Sequence, residues 1–140
     1  MTSRQKGKAF ETKIRKYLES VGFTVDVARP TIKYCGPGKI FSGPNDFWGC
    51  LDLIAVHPEK AFTLGIQASC DVGNVAAKKK KCEAIPWNIM VQNIQIWVPL
   101  EGVRGGIRTY QLGIVQPTGI QWREILWAMK TGEVPVGGHL

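Results

Sequence analysis

Between Cys50 and Ser69 the chain carries two apolar runs, CLDLIAV and AFTLGIQAS, separated only by His57, Pro58, Glu59 and Lys60. Runs of this length bounded by a Pro-containing turn read as two strands, Cys50 to Val56 and Ala61 to Ser69, joined as a hairpin. Residues two apart in a strand share a face. Thr63, Gly65, Gln67 and Ser69 therefore lie on one side of the second strand, and Phe62, Leu64, Ile66 and Ala68 on the other. The second set is a core face and the first is polar. On the first strand Cys50, Asp52, Ile54 and Val56 share a side.

Asp52 is the lone carboxylate in its run, and an ionised carboxylate in apolar surroundings is costly unless it is paired, hydrogen-bonded or bound to a metal. Two registers of the hairpin bring it a polar neighbour. If paired residue numbers sum to 119, Asp52 faces Gln67; if they sum to 121, it faces Ser69. Directly opposed residues have Cβ atoms roughly 4.5–5.5 Å apart, close enough for a carboxylate oxygen and an amide oxygen to reach one ion. Mg²⁺ suits such a pair, because it prefers hard oxygen ligands, keeps several waters and is often held by one or two carboxylates together with substrate phosphates.

The rest of the chain supplies the frame. Phe10, Ile14, Tyr17, Leu18 and Val21 recur on one helical face, with Gly22 as a stop. FTVDVA reads as a strand, and the segment from Pro30 to Asn45, broken by GPG and SGPN, as a long loop of the kind that is more often functional than idle. A helix is expected from Asn74, as N-cap, to Ile85 before Pro86. Ile94 to Val98 and Gly106 to Val115 read as strands. Trp122, Ile125, Leu126 and Met129 have helical spacing and predict a closing helix, followed by a loosely ordered tail, TGEVPVGGHL. The expected architecture is α/β: a mixed β-sheet flanked by α-helices, in one domain spanning residues 1–140 with its core in about 5–130. No internal repeat or low-complexity segment occurs.

Eighteen Lys and Arg against eleven Asp and Glu give a net charge of +7, a surface that attracts polyanions. No long apolar stretch predicts a membrane span or a secretory signal, so a cytoplasmic protein is expected. Cys35, Cys50, Cys70 and Cys82 include no CxxC pair, and only His57 and His139 could join them; buried thiols are expected rather than a zinc site or a disulfide framework. The tryptophans, at 48, 87, 97, 122 and 127, could stack on bases, but in such apolar surroundings they read as core.

Three further residues can reach the hairpin. Val75, Lys78, Cys82 and Ile85 form one stripe of the second helix, so Lys78 lies on the side that packs toward the sheet, where it needs an anionic partner. Lys79, Lys80 and Lys81 point elsewhere, as a solvated basic face. Glu11 borders the apolar stripe of the first helix, placed either to reach the site or to stay exposed among lysines. Asp46, six residues before Asp52, is either a second metal-side carboxylate or a turn residue.

In order and spacing, KGKAFETKIRKYLESVGF, DFWGCLDLIAV, FTLGIQAS and NVAAKKKKCEAI resemble the opening helix, aspartate strand, (D/E/Q)xK strand and following helix of the PD-(D/E)xK nuclease superfamily. Within that superfamily the likeness is to the small Holliday-junction-resolvase-like and Mrr-like proteins often found in phages. It covers about residues 5–98. The resemblance implies a restriction-endonuclease-like fold and Mg²⁺-dependent endonuclease activity on DNA, branched DNA included, with Mn²⁺ able to substitute and a homodimer expected of a resolvase. It implies Asp52 as the metal-binding aspartate, Gln67 as the second ligand, and Glu11 as the helix acid. Ser69 occupies the position of the family's lysine and cannot supply its charge, for which Lys78 on the next helix is the candidate replacement. Lys6, Lys8 and Lys13 on the first helix, Lys33 and Lys39 in the loop, and Lys79 and Lys81 are expected to follow the DNA backbone. Two other readings fit the same residues: a noncatalytic DNA-binding module on the same fold, and a basic RNA-binding or assembly protein in which Asp52 is only a hydrogen-bond acceptor.

Overall fold

Sheet and helices follow the apolar periodicity except in the segment after Pro30 and near the C-terminus. A computed structural model describes residues 3–28, 32–34, 37–38, 40–42, 46–70, 72–115 and 119–135. Helix α1 (Ser3–Ser20) buries Phe10, Ile14 and Leu18 at the expected spacing. It ends at Gly22, whose φ of 99° is open to glycine at little cost. Strand β1 (Thr24–Val27) follows. Strands β4 (Leu53–Val56) and β5 (Thr63–Ala68) form the anticipated antiparallel hairpin, with Leu53 opposite Ile66, so paired numbers sum to 119. A 3₁₀ turn (Val72–Asn74) leads into α2 (Val75–Glu83), a run of Ala and Lys with high helix propensity. Asn74 holds the N-cap position, but its side chain makes no capping hydrogen bond.

Strands β6 (Gln92–Pro99), β7 (Gly106–Val115) and β8 (Gly119–Ala128) complete a six-stranded sheet ordered β1-β4-β5-β6-β7-β8. Only β5 and β6 are parallel neighbours, joined by the crossover through α2; the other pairs are antiparallel. The architecture is therefore α/β, a mixed sheet with two α-helices. On one face α1 packs over Leu53, Ala55, Leu64, Ile66, Trp97 and Ile107. On the other, Val75 of α2 meets Ile96 and Val98, and Cys82 meets Leu51, Ile94 and Leu112.

Two expectations are corrected. The segment from Trp122 to Met129 is not a helix: residues 119–128 pair with β7 along its whole length, and only Met129–Thr131 makes a helical turn. Trp127, expected on neither helical stripe, is the residue that seals this region. Its ring packs edge-on to Trp97 at 4.9 Å, and its Nε1 donates to Thr109 at 2.8 Å. The expected loop from Pro30 to Asn45 contains two short paired strands, β2 (Ile32–Tyr34) and β3 (Ile40–Ser42). Three-residue strands fall below the length at which alternation can be recognised.

The tail is anchored where it is described. Tyr17 Oη of α1 donates to the Glu133 carbonyl, Gln95 Nε2 donates to that of Pro135 at 2.9 Å, and Val134 packs against the α1-side core. Residues 136–140 lie outside the described residues. Among the described residues no helix is long and apolar enough to cross a membrane.

Candidate functional site

Asp52 occupies an irregularity in the sheet. Leu53 is the partner of Ile66, yet the Asp52 N–H also donates to the Ile66 carbonyl at 2.8 Å, so two residues of one strand meet one of the other. That two-against-one count is a β-bulge, a device that re-aims a side chain at the end of a ladder. Here it turns the carboxylate back onto β5. Asp52 Oδ2 accepts the Ala68 N–H at 2.8 Å and the Gln67 amide Nε2 at 3.0 Å. A hydrogen bond thus joins aspartate to glutamine, although the bulge takes Asp52 out of the ladder whose register would have set it directly opposite Gln67. In this conformation the glutamine presents its NH₂, not its oxygen, to the carboxylate.

Lys78 closes the site from α2. Its Nζ donates to the Ala68 carbonyl at 2.9 Å, so the last peptide units of β5 are held by the carboxylate through an N–H and by the ammonium through a carbonyl. Glu11 enters from α1. Glu11, Asp52, Gln67 and Lys78, each from a different part of the chain, line one cavity of about 180 Å³ together with Gly7, Phe10, Ala68 and Cys70. The cavity lies beyond the C-terminal end of β5, where parallel strands in α/β sheets commonly place ligands.

Electrostatics in the cavity are unbalanced. Burial pushes the Asp52 carboxyl up to about 7, the negative charges of Glu11 and Asp46 push the same way, and the Ala68 N–H and Lys78 pull it down. Glu11 is also raised, first by burial and then by Asp46, against the opposing pull of Lys78 and Lys8. Asp46 is therefore close enough to act on both acids, although it does not line the cavity.

Other expected site residues are placed differently. Ser69 is buried just past the end of β5, its N–H donating to the Trp97 carbonyl at 2.9 Å, and it does not line the cavity. Lys6, Lys8 and Lys13 are exposed along α1, and Lys81 is exposed on α2. Lys79 is not part of a solvated face: its Nζ lies 4.4 Å from the centre of the Tyr110 ring and 5.9 Å from that of Trp122, a cation–π arrangement over β7 and β8. Lys33 is in β2, and Lys39 lies outside the described residues. Cys50 and Cys82 are buried, whereas Cys70 is exposed at the cavity; Cys35 lies outside the described residues.

Sequence reading missed Gly7. It lines the cavity, and a Cβ built there would meet nothing within 4 Å, so the space beside it is open. Its signal was a glycine inside a helix, which costs about 0.5–1 kcal/mol relative to alanine and so asks for a reason.

The donor set fits a hydrated hard cation better than a dry protein cage. Among the described residues no group of three or more His, Cys, Asp or Glu side chains is arranged to hold a metal. Asp52, with the Gln67 oxygen after rotation of the amide and Glu11 across the cavity, offers the few oxygen ligands that Mg²⁺ takes from proteins when water and phosphate complete its shell. Raised acids clustered around one cavity are themselves stabilised by an added positive charge. No protein-family model, curated protein or solved structure matches this chain.

Proposed function

We propose that the protein is a divalent-cation-dependent endonuclease of the restriction-endonuclease-like type, hydrolysing phosphodiester bonds in DNA. The observation that carries this reading is the convergence of Glu11, Asp52, Gln67 and Lys78 on one cavity at the end of the central strand pair. Each has a task that its position permits. Asp52, with Gln67 beside it, would hold Mg²⁺ or Mn²⁺. The bound ion would supply Lewis acidity and lower the pKa of a coordinated water. Lys78, with its ammonium at the cavity wall, offsets charge on the phosphate, the part the superfamily assigns to a lysine at the position of Ser69. Glu11 accepts hydrogen bonds from water on the opposite wall. Exposed Lys6, Lys8 and Lys13 extend the positive surface along α1 toward the DNA backbone.

A test compares wild type, Asp52→Asn, Lys78→Ala and Lys80→Ala on duplex, single-stranded and branched DNA in Mg²⁺, Mn²⁺ or EDTA. Cleavage is expected with either metal, to be absent in EDTA and to be abolished by Asp52→Asn. Lys78→Ala should lower turnover about 10²-fold, the usual cost of losing one transition-state charge partner, and Lys80→Ala should leave it nearly unchanged. Equal cleavage by wild type and Asp52→Asn would sink the proposal.

One observation favours a second reading, a DNA-binding module without cleavage. Gln67 and Ala68 already donate to Asp52 Oδ2, and Lys78 is bonded to the Ala68 carbonyl, so the site can close on itself. Tight DNA binding with no cleavage in Mg²⁺ or Mn²⁺ would select it.

A further inference from the structure

Trp48 is the exception among the tryptophans. Trp97 is fully buried, and Trp87, Trp122 and Trp127 are packed against the core, but Trp48 is 62% exposed. It is also the described non-glycine residue with a left-handed backbone, at φ 53°, followed by Gly49 at 72°. The Cys50 N–H donates to the Phe47 carbonyl at 3.1 Å, and Phe47 and Leu51 bridge, so the segment is a tight turn with both central residues left-handed. Such a turn strongly prefers Asn, Asp or Gly at its first central position. A bulky side chain there is strained, and strain of this kind concentrates at functional sites.

The strain secures no burial, so its product is the presentation of an indole ring to solvent. That ring is nonetheless supported. Trp87 meets it edge-on at 5.8 Å, Phe47 is tilted against it at 6.2 Å, and a crevice of about 50 Å³ runs between Trp48 and Trp87 over Leu51, Ile54 and Gly65. The turn also belongs to the cavity's own segment: Asp46, which acts on both Glu11 and Asp52, lies two residues before Trp48, and Asp52 lies four residues after it. Four residues of chain span at most about 14 Å, a distance bridged by a few nucleotides.

We propose that Trp48 is a stacking platform for an unpaired nucleobase, making single-stranded DNA the ligand class of this site. The choice of nucleic acid as ligand rests on the proposed nuclease reading; the stacking itself does not require cleavage. An aromatic ring held outward on a chain of net charge +7 combines the two features by which proteins bind single strands, since every base has a π-face and only an unpaired base can offer it.

Binding is measured in EDTA, by fluorescence anisotropy, with a labelled single-stranded oligonucleotide and a blunt duplex of the same sequence, for wild type, Trp48→Ala, Trp48→Phe and Trp48→Gly. Trp48→Ala and Trp48→Gly should weaken single-strand binding about 5- to 150-fold, the range for loss of one base–aromatic stack, with duplex binding changed less than about twofold. Trp48→Phe should restore most of the single-strand affinity. Trp48→Gly relieves the left-handed strain, so its melting temperature should equal or exceed that of wild type, separating lost stacking from lost fold. Wild-type single-strand affinity in both Ala and Gly variants, or equal loss on single strand and duplex, would overturn the proposal. Metal-dependent cleavage that Asp52→Asn abolishes, alongside unchanged binding by Trp48→Ala, would remove the platform and leave the nuclease reading standing.

Discussion

Asp52 shows how a site can be stored at the expense of stability. Its carboxyl is raised to about 7 from an ordinary 3.8, chiefly by burial. The folded chain therefore keeps a proton that the unfolded chain releases as pH rises through that interval. With fewer protons on the unfolded state, stability falls as pH increases from about 4 to 7 and stays low above it. At about 1.4 kcal/mol per pH unit the loss is on the order of 4 kcal/mol for this residue. Asn at position 52 retains an acceptor for the Ala68 N–H and cannot ionise. In EDTA, Asp52→Asn is expected to melt several degrees above wild type at pH 8, to match it near pH 4, and to show a flatter profile between. Thermal denaturation across that range checks it, and a variant less stable than wild type at pH 8 would mean that Asp52 is ionised in a site that welcomes the charge.

At the level of elements, β8 is the informative case. Its apolar residues at 122, 125 and 126, with Met129 just past its end, satisfy a helical period, and a strand period competes only weakly because the edge strand is half-exposed on both faces. What decides for the strand is tertiary: a ten-residue ladder with β7 and the seating of Trp127 on Thr109, neither of which has a local signature. A double-mutant cycle on Trp127→Phe and Thr109→Val should give a coupling of about 1 kcal/mol, the worth of one buried hydrogen bond, whereas a helical segment predicts none. The hairpin of β4 and β5 was legible because its alternation is strong and its turn short. Asp52, Gln67 and Lys78 were legible because each is a polar residue out of place in an apolar pattern. Gly7 was not read from the sequence, and Trp48 was read there with the other tryptophans as core, since what sets both apart lies in space and backbone conformation rather than in composition. The bulge at Asp52 was equally silent: it sets two residues against one, an offset that no residue type in the run announces.

Charge and connectivity act over the whole molecule. On the proposed reading the exposed lysines of α1 contact phosphates, so DNA affinity should fall steeply with salt. Replacing Lys6 and Lys13 together by alanine should lower the slope of log K against log [salt] by about 2, with little dependence on DNA sequence. A slope equal to that of wild type would remove α1 from the DNA-facing surface. The tie between Tyr17 and Glu133, 116 residues apart, has a different kind of consequence. The apolar stripe of α1 is completed by Trp127, Met129 and Val134, and so the helix that contributes Glu11 is clamped by chain synthesised far later. During translation β4 and β5 are available to α1 first, and this last part of its cover is supplied only after residue 134 has been made. A nascent chain shorter than that would carry the hairpin with its aspartate while part of the apolar stripe of α1 stays uncovered.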